Sequence, residues 1–143
     1  MKLLDSAVQW IVGEQQEERI VTEELCGVEY RAQTATRHDR KRAASLINEE
    51  PVIEWLFQNI DESTVFWDIG AFHGHYSMIA ELLGATALAF EPNDENRKWL
   101  LKNMCLNGLE FRVPPVALSD QVGRSRFQSN SSESKKSLTW ASI

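Results

Sequence analysis

The chain is poor in the features that staple, anchor or charge a protein for one obvious purpose. Of its 143 residues only two are cysteine, Cys26 and Cys105, far apart and outside any CxxC or Cys/His ligand spacing. That excludes a disulfide framework and a structural zinc site, and both are read as reduced thiols, buried or incidental. Positive charge is also scarce: 15 Lys and Arg stand against 21 Asp and Glu, for a net charge of −6 and a pI near 5.1. A field of that sign repels nucleic acid and anionic membranes, so neither is expected as a partner. No apolar run approaches the roughly 18 residues that cross a bilayer. The opening "MKLLDSAVQWIV" is interrupted by Asp5, Gln9 and Trp10, unlike a secretory signal. These absences describe a soluble, cytoplasmic protein. No internal repeat is found.

Hydrophobic residues make up 43% of the chain, enough for one buried core. Leu3, Leu4, Ala7, Val8, Ile11 and Val12 recur at helical spacing, which predicts an amphipathic first helix ending near Gly13. Val28, Tyr30, Ala32, Thr34 and Thr36 then alternate with Glu29, Arg31 and Gln33, and with Ile20 to Thr22 before them they predict a β-hairpin. "RHDRKR", residues 37–42, is the one basic cluster. Without interleaved aromatics it reads as a solvated turn. Pro51 suits the first turn of a second helix whose buried stripe would be Val52, Ile53, Leu56, Phe57 and Ile60.

From residue 65 the pattern becomes β-α-β-α-β: "TVFWDI", "HYSMIAELLG", "TALAFE", "NDENRKWLLKNMCLNG" and "FRVPPVAL". Asn93 reads as the N-cap of the second of these helices. Such units build parallel sheets that bind ligands beyond the carboxyl ends of their strands. "GRSRFQ" is a short candidate strand, and "SNSSESKKS" reads as a polar loop or tail.

The chemistry concentrates in "VFWDIGAFHGHYS", residues 65–77. Gly70 and Gly74 allow a tight turn under a ligand, and the helix beginning after Gly74 aims the amides of His75, Tyr76 and Ser77 at an anionic group. Glu91 ends the next strand, 21 residues after Gly70, where a carboxylate can accept hydrogen bonds from ribose hydroxyls. The choice lies between a dinucleotide and S-adenosylmethionine. In the GxGxxG register Asp68 and His73 occupy the first and third glycine positions. Asp68 would repel a pyrophosphate but attract the ammonium and sulfonium of S-adenosylmethionine, and so selects the latter.

These residues resemble the class I S-adenosylmethionine-dependent methyltransferases, and more narrowly the FkbM-type family. The resemblance runs from about Glu49 to Asp120 and rests on "VFWDIGAFHGHYS", "ALAFEPNDENRKWLLKNMCLNGL" and "VALSD" followed by Gly123. It implies a Rossmann-like α/β three-layer sandwich with parallel strands in order 3-2-1, carrying an N-terminal helix and hairpin over 1–48, a partial cofactor domain over 49–128 and a polar tail over 129–143. It further implies S-adenosylmethionine held by Asp68, Gly70, Ala71, Gly74, Tyr76, Glu91, Pro92, Ala117, Leu118 and Ser119. The activity implied is methyl transfer to an oxygen or nitrogen of a small molecule or glycan; the alternatives are a non-catalytic cofactor-binding fragment and, disfavoured by Asp68, a dinucleotide oxidoreductase.

Two departures stand out. Phe72, His73 and His75 replace the family's usual loop residues. A metal pair or a general base made of these histidines lacks a third ligand and an orienting carboxylate, so they are read as loop-lining or solvent-facing, with no metal site and no nameable catalytic residue. The family's later strands are missing after Ile143, so the chain is read as truncated, with an unpaired sheet edge that promotes self-association.

Overall fold

A computed structural model of the chain describes residues 19–34, 50–128 and 135–142. The expected first helix and the basic cluster at 37–42 fall outside the described residues. Strands β1 (Arg19–Leu25) and β2 (Val28–Thr34) form the expected antiparallel hairpin, with Leu25 opposite Val28 and Arg19 opposite Thr34. Tyr30, Ala32 and Thr34 are buried, while Glu29 and Arg31 are exposed and hydrogen-bonded to each other. Alternation along β2 therefore sends one face into the core. Burial pushes the Tyr30 phenol pKa up, and the negative charge of Glu23 adds to the effect.

Helix α1 (Glu50–Asn59) carries Pro51 in its first turn, where the missing N–H removes no helical bond. Ile53, Leu56 and Ile60 are buried and Phe57 packs against them, but Val52 is exposed, contrary to the expected stripe. Beyond it, Asp61 Oδ1 accepts from the Ser63 amide at 2.9 Å and the Ser63 hydroxyl at 2.6 Å. These bonds turn the chain into the next strand and hold the Asp61 carboxyl below its ordinary pKa.

Strands β3 (Val65–Ile69) and β4 (Thr86–Phe90) pair in parallel, Val65 opposite Thr86 through Ile69 opposite Phe90. Helix α2 (His75–Leu82) connects them and α3 (Asp94–Leu106) follows β4. Both helices lie on the Asp68 and Ala89 face of the pair: Ser77 of α2 bonds Asp68, and Leu100 of α3 packs with Ala71 and Ala89. Consecutive right-handed crossovers that advance in one direction across a sheet place their helices this way. The main core lies where the hairpin, α1 and α2 meet, and includes Leu25, Tyr30, Ala32, Ile53, Leu56, Met78 and Ile79.

Three expectations need correction. The first is the three-layer sandwich. Among the described residues the helices cover one face of β3, and on the other Val65, Trp67 and Ile69 are 65%, 47% and 59% exposed.

The second is the continuous third strand over "FRVPPVAL". It touches β4 through one parallel bridge, Leu88 to Arg112, with the amides of Ala89 and Glu91 donating to the carbonyls of Arg112 (2.9 Å) and Pro114 (3.3 Å). The next donor down β4, the Ala87 amide, goes instead to Glu81 Oε1 at 2.6 Å. Pro114 and Pro115 have no N–H with which to continue a ladder. The run then separates into β5 (Ala117–Ser119), which pairs with residues of Lys135–Ser142 rather than with β4.

The third concerns the polar tail. Lys135–Ser142 forms β7, antiparallel to β6 (Gly123–Gln128) and parallel to β5, in the order β5-β7-β6. Leu138 and Trp140 alternate there with Ser137, Thr139 and Ala141, a period of two masked in the sequence by the serine-rich run before it. The chain is thus α/β, with small sheets. Cys26 and Cys105 are free and exposed rather than buried. No helix among the described residues is long and apolar enough to cross a membrane.

Candidate functional site

At the carboxyl ends of β3 and β4 the chain makes a tight turn into α2. The amides of Gly70 and Ala71 donate to the Phe90 carbonyl at 2.9 and 3.1 Å, which ties the loop after β3 to the tip of β4. The Gly74 amide donates to the Ala71 carbonyl at 2.7 Å and closes the turn into α2. Gly74 is the N-cap of that helix and has no side chain with which to cap it.

Asp68 supplies the missing cap from the neighbouring strand. Its Oδ2 accepts from the Ser77 amide at 3.2 Å and from the Ser77 hydroxyl at 2.6 Å. A carboxylate at a helix N-terminus satisfies an orphan donor and meets the positive end of the dipole. Of the three amides expected to face a ligand, that of Ser77 is therefore engaged by Asp68. Both bonds fall on Oδ2, so Oδ1 keeps its lone pairs. Burial raises the Asp68 pKa, and the two bonds from Ser77 oppose the rise without cancelling it.

Gly70 and Gly74 both have φ of +79°, a conformation that penalises any residue with a Cβ. Their surroundings differ. A Cβ on Gly70 would meet nothing within 4 Å, whereas one on Gly74 would lie 2.7 Å from Leu100 Cγ. Gly74 is small because α3 packs on it, and Gly70 is the glycine with open space beside it.

Glu91 is 4% exposed and bridges the loop to the start of α3. Its Oε2 accepts from the Phe72 amide at 2.8 Å and its Oε1 from the Asn93 amide at 2.8 Å. Phe72 has φ of +54°, and a bulky residue stays there only when its surroundings over-determine it. Glu91 is one such determinant. Oε1 also accepts from Asn96 Nδ2 at 3.4 Å, which leaves Oε2 with a second lone pair able to accept from a hydroxyl. Asn93 caps α3 as expected, its Oδ1 accepting from the amides of Glu95 (2.9 Å) and Asn96 (3.2 Å).

The other sequence-derived site residues are distributed unevenly. Ala71 is buried in the loop against Ala89 and Leu100, and Pro92 is half-buried beside Glu91. The Tyr76 ring packs against the main core, so at that position the backbone is what can face a ligand. Ala117, Leu118 and Ser119 are half-buried in β5, in the β7-paired sheet. His73 and His75 are not solvent-facing: both are buried, His73 within the loop and stacked on Phe72 at 3.8 Å between centroids, and His75 edge-on to Tyr30 at 6.1 Å. No group of three or more metal-ligating side chains occurs among the described residues.

Two further side chains take part. The sequence marks Ser77 through its amide, and its hydroxyl, one turn into a helix that begins at glycine, is also within reach of the preceding acid. Asn103 is one of several polar residues in "NDENRKWLLKNMCLNG", and nothing in residue order distinguishes it. It is fully buried, and donates to the His73 carbonyl at 3.1 Å.

No family model matches the chain, and no curated protein matches it. Solved structures with similar folds include an S-adenosylmethionine-dependent methyltransferase from Agrobacterium tumefaciens, 21% identical with a TM-score of 0.45, covering 67% of this chain and 32% of that one. Another is TYW2 of P. horikoshii in complex with MeSAdo, 17% identical with a TM-score of 0.43, covering 76% of this chain and 44% of that one. The chain thus spans less than half of either. With both scores below 0.5, the likeness by itself assigns nothing.

Proposed function

We propose that the chain forms the S-adenosylmethionine-binding part of a cytoplasmic methyltransferase of FkbM type, its three parallel runs following the strand order 3-2-1. One observation carries this reading: the open-sided Gly70 lies in a loop held between two buried carboxylates, Asp68 and Glu91, at the carboxyl end of a parallel strand pair. Ligands of α/β folds bind at that end. In this reading Asp68 Oδ1 meets the cofactor's ammonium, and Glu91 accepts from a ribose hydroxyl through the lone pair of Oε2 that Phe72 does not use. Gly70 and Ala71 admit the ligand against the backbone, with Tyr76 contributing through its amide and Pro92 at the rim. Ala117, Leu118 and Ser119 are assigned to the adenine side on the family resemblance alone.

When bound, the cofactor supplies an electrophilic methyl group. What these residues contribute is orientation and a negative field that favours the cationic form. The acceptor class is an oxygen or nitrogen of a small molecule or glycan, and no residue is assigned as a base. A second reading, a non-catalytic cofactor-binding module, is favoured by the engagement of both carboxylates in holding the loop and α2. We also propose self-association through the outer edge of β3, which has no strand partner among the described residues.

Calorimetry on the full chain with S-adenosylhomocysteine, S-adenosylmethionine and NADH tests the reading. Saturable heats with both sulfur nucleosides and none with NADH are expected. Tighter binding of NADH would overturn it, and turnover with an acceptor panel separates the enzyme from the module. Concentration-dependent sedimentation tests the association.

A further inference from the structure

Helix α3 meets the outer edge of β2 through two asparagines. Asn107 Oδ1 accepts from the Arg31 amide at 2.7 Å, and its Nδ2 donates to the Arg31 carbonyl at 2.7 Å. One turn earlier, Asn103 Oδ1 accepts from the Gln33 amide at 2.7 Å. The fit is geometric: four residues of helix rise about 6 Å and two residues of strand about 6.8 Å, so side chains at i and i+4 can face strand amides at j and j+2. The asparagine pair completes hydrogen bonds that an edge strand otherwise presents to water or to another chain.

The two residues differ in where the second half of the amide goes. Asn107 shares its NH2 between the strand carbonyl of Arg31, the Asn103 carbonyl one turn back at 2.7 Å and Met78 Sδ at 3.3 Å. Asn103 directs its NH2 to the His73 carbonyl, inside the loop between Gly70 and Gly74. A backbone donor on one side and a backbone carbonyl on the other fix which end of the Asn103 amide is oxygen. The side chain is 0% exposed, so water cannot replace either partner. His73 stacks on Phe72, whose amide is held by Glu91. A continuous set of contacts therefore runs from the hairpin at Gln33, through Asn103, His73 and Phe72, to Glu91.

We propose that Asn103 is a positioning residue for the cofactor loop, tying its backbone geometry to the hairpin. This rests on the reading of the loop as an S-adenosylmethionine site. Asn107 is the internal control, because it makes the same kind of contact with β2 and none with the loop.

The test compares Asn103→Leu and Asn107→Leu in the full chain. Both should lower the melting temperature. Asn103→Leu should weaken S-adenosylhomocysteine binding about tenfold, the effect of one buried hydrogen bond on an ordered loop, while Asn107→Leu leaves it nearly unchanged. Amide hydrogen exchange at residues 70–74 provides a readout without ligand: exchange should accelerate in Asn103→Leu and not in Asn107→Leu. Equal loss of affinity in the two variants, or unaltered loop exchange in Asn103→Leu, would overturn the proposal. If the wild type binds no sulfur nucleoside yet the exchange difference holds, the positioning role stands and the cofactor reading falls. Should Asn103→Leu not fold, Asn103→Ser, which retains a donor while losing the reach to two partners, takes its place with the same criteria.

Discussion

The two ends of the loop after β3 carry the same residue in the same backbone conformation for different reasons. At Gly74 the space a side chain would need is filled by Leu100, and at Gly70 it is empty. One end belongs to the packing of α3 on the sheet and the other faces open space. Identical φ values thus conceal a structural glycine and a candidate binding glycine, and only the surroundings tell them apart.

Substitutions sharpen that contrast, beginning at the packed end. Gly74→Ala should cost about 2–4 kcal/mol, combining overpacking against Leu100 with left-handed strain, and should appear as a large drop in the denaturant midpoint. Glu91→Gln should cost about 1–3 kcal/mol, because one amide N–H of Phe72 or Asn93 would then face an NH2 group rather than an oxygen. A thermal melt of the unliganded chain checks it. A loss of cofactor affinity without loss of stability would show that Glu91 serves the ligand alone.

At the open end, Gly70→Ala should cost about 1–2 kcal/mol, from backbone strain without a clash. Its effect on S-adenosylhomocysteine affinity should exceed that of Gly74→Ala in the folded fraction, and calorimetry below the melting range would break the comparison if the order were reversed.

The smallest stability effect, opposite in sign, belongs to Asp68. Its raised pKa means that between the ordinary value of 3.8 and the folded value the folded chain binds more protons than the unfolded chain. Stability therefore falls as pH rises through that window, and the burial penalty is fully present above it. Asp68→Asn should remove this dependence and leave the unliganded chain as stable or slightly more so near neutral pH, while weakening S-adenosylmethionine binding about tenfold. Melts and titrations from acid to neutral pH, compared between the variant and wild type, measure both.

Much of this region is legible from residue order. Alternation along Val28–Thr34 marks the buried face of β2, and the Asn93 cap and the acids in the first turn of α3 mark its start. The third strand is not legible in the same way, because its apolar composition resembles a strand while Pro114 and Pro115 withdraw donors and Glu81, from another element, occupies the Ala87 amide. Composition reports what a segment prefers to bury, and pairing depends on which groups arrive beside it. The same limit explains Asn103, whose partners lie 70 and 30 residues away.

By itself the order of residues determined the hairpin, the strand–helix alternation, the positions of Asp68, Gly70 and Glu91 at strand ends and that of Gly74 at a helix start, because burial imposes periods of two and 3.6 on short segments. Tertiary structure decided the rest: which glycine is packed, that Asp68 caps α2, that Glu91 holds Phe72 and that Asn103 joins β2 to the loop. These depend on distances between residues far apart in the chain, and such distances exist only once the elements have come together.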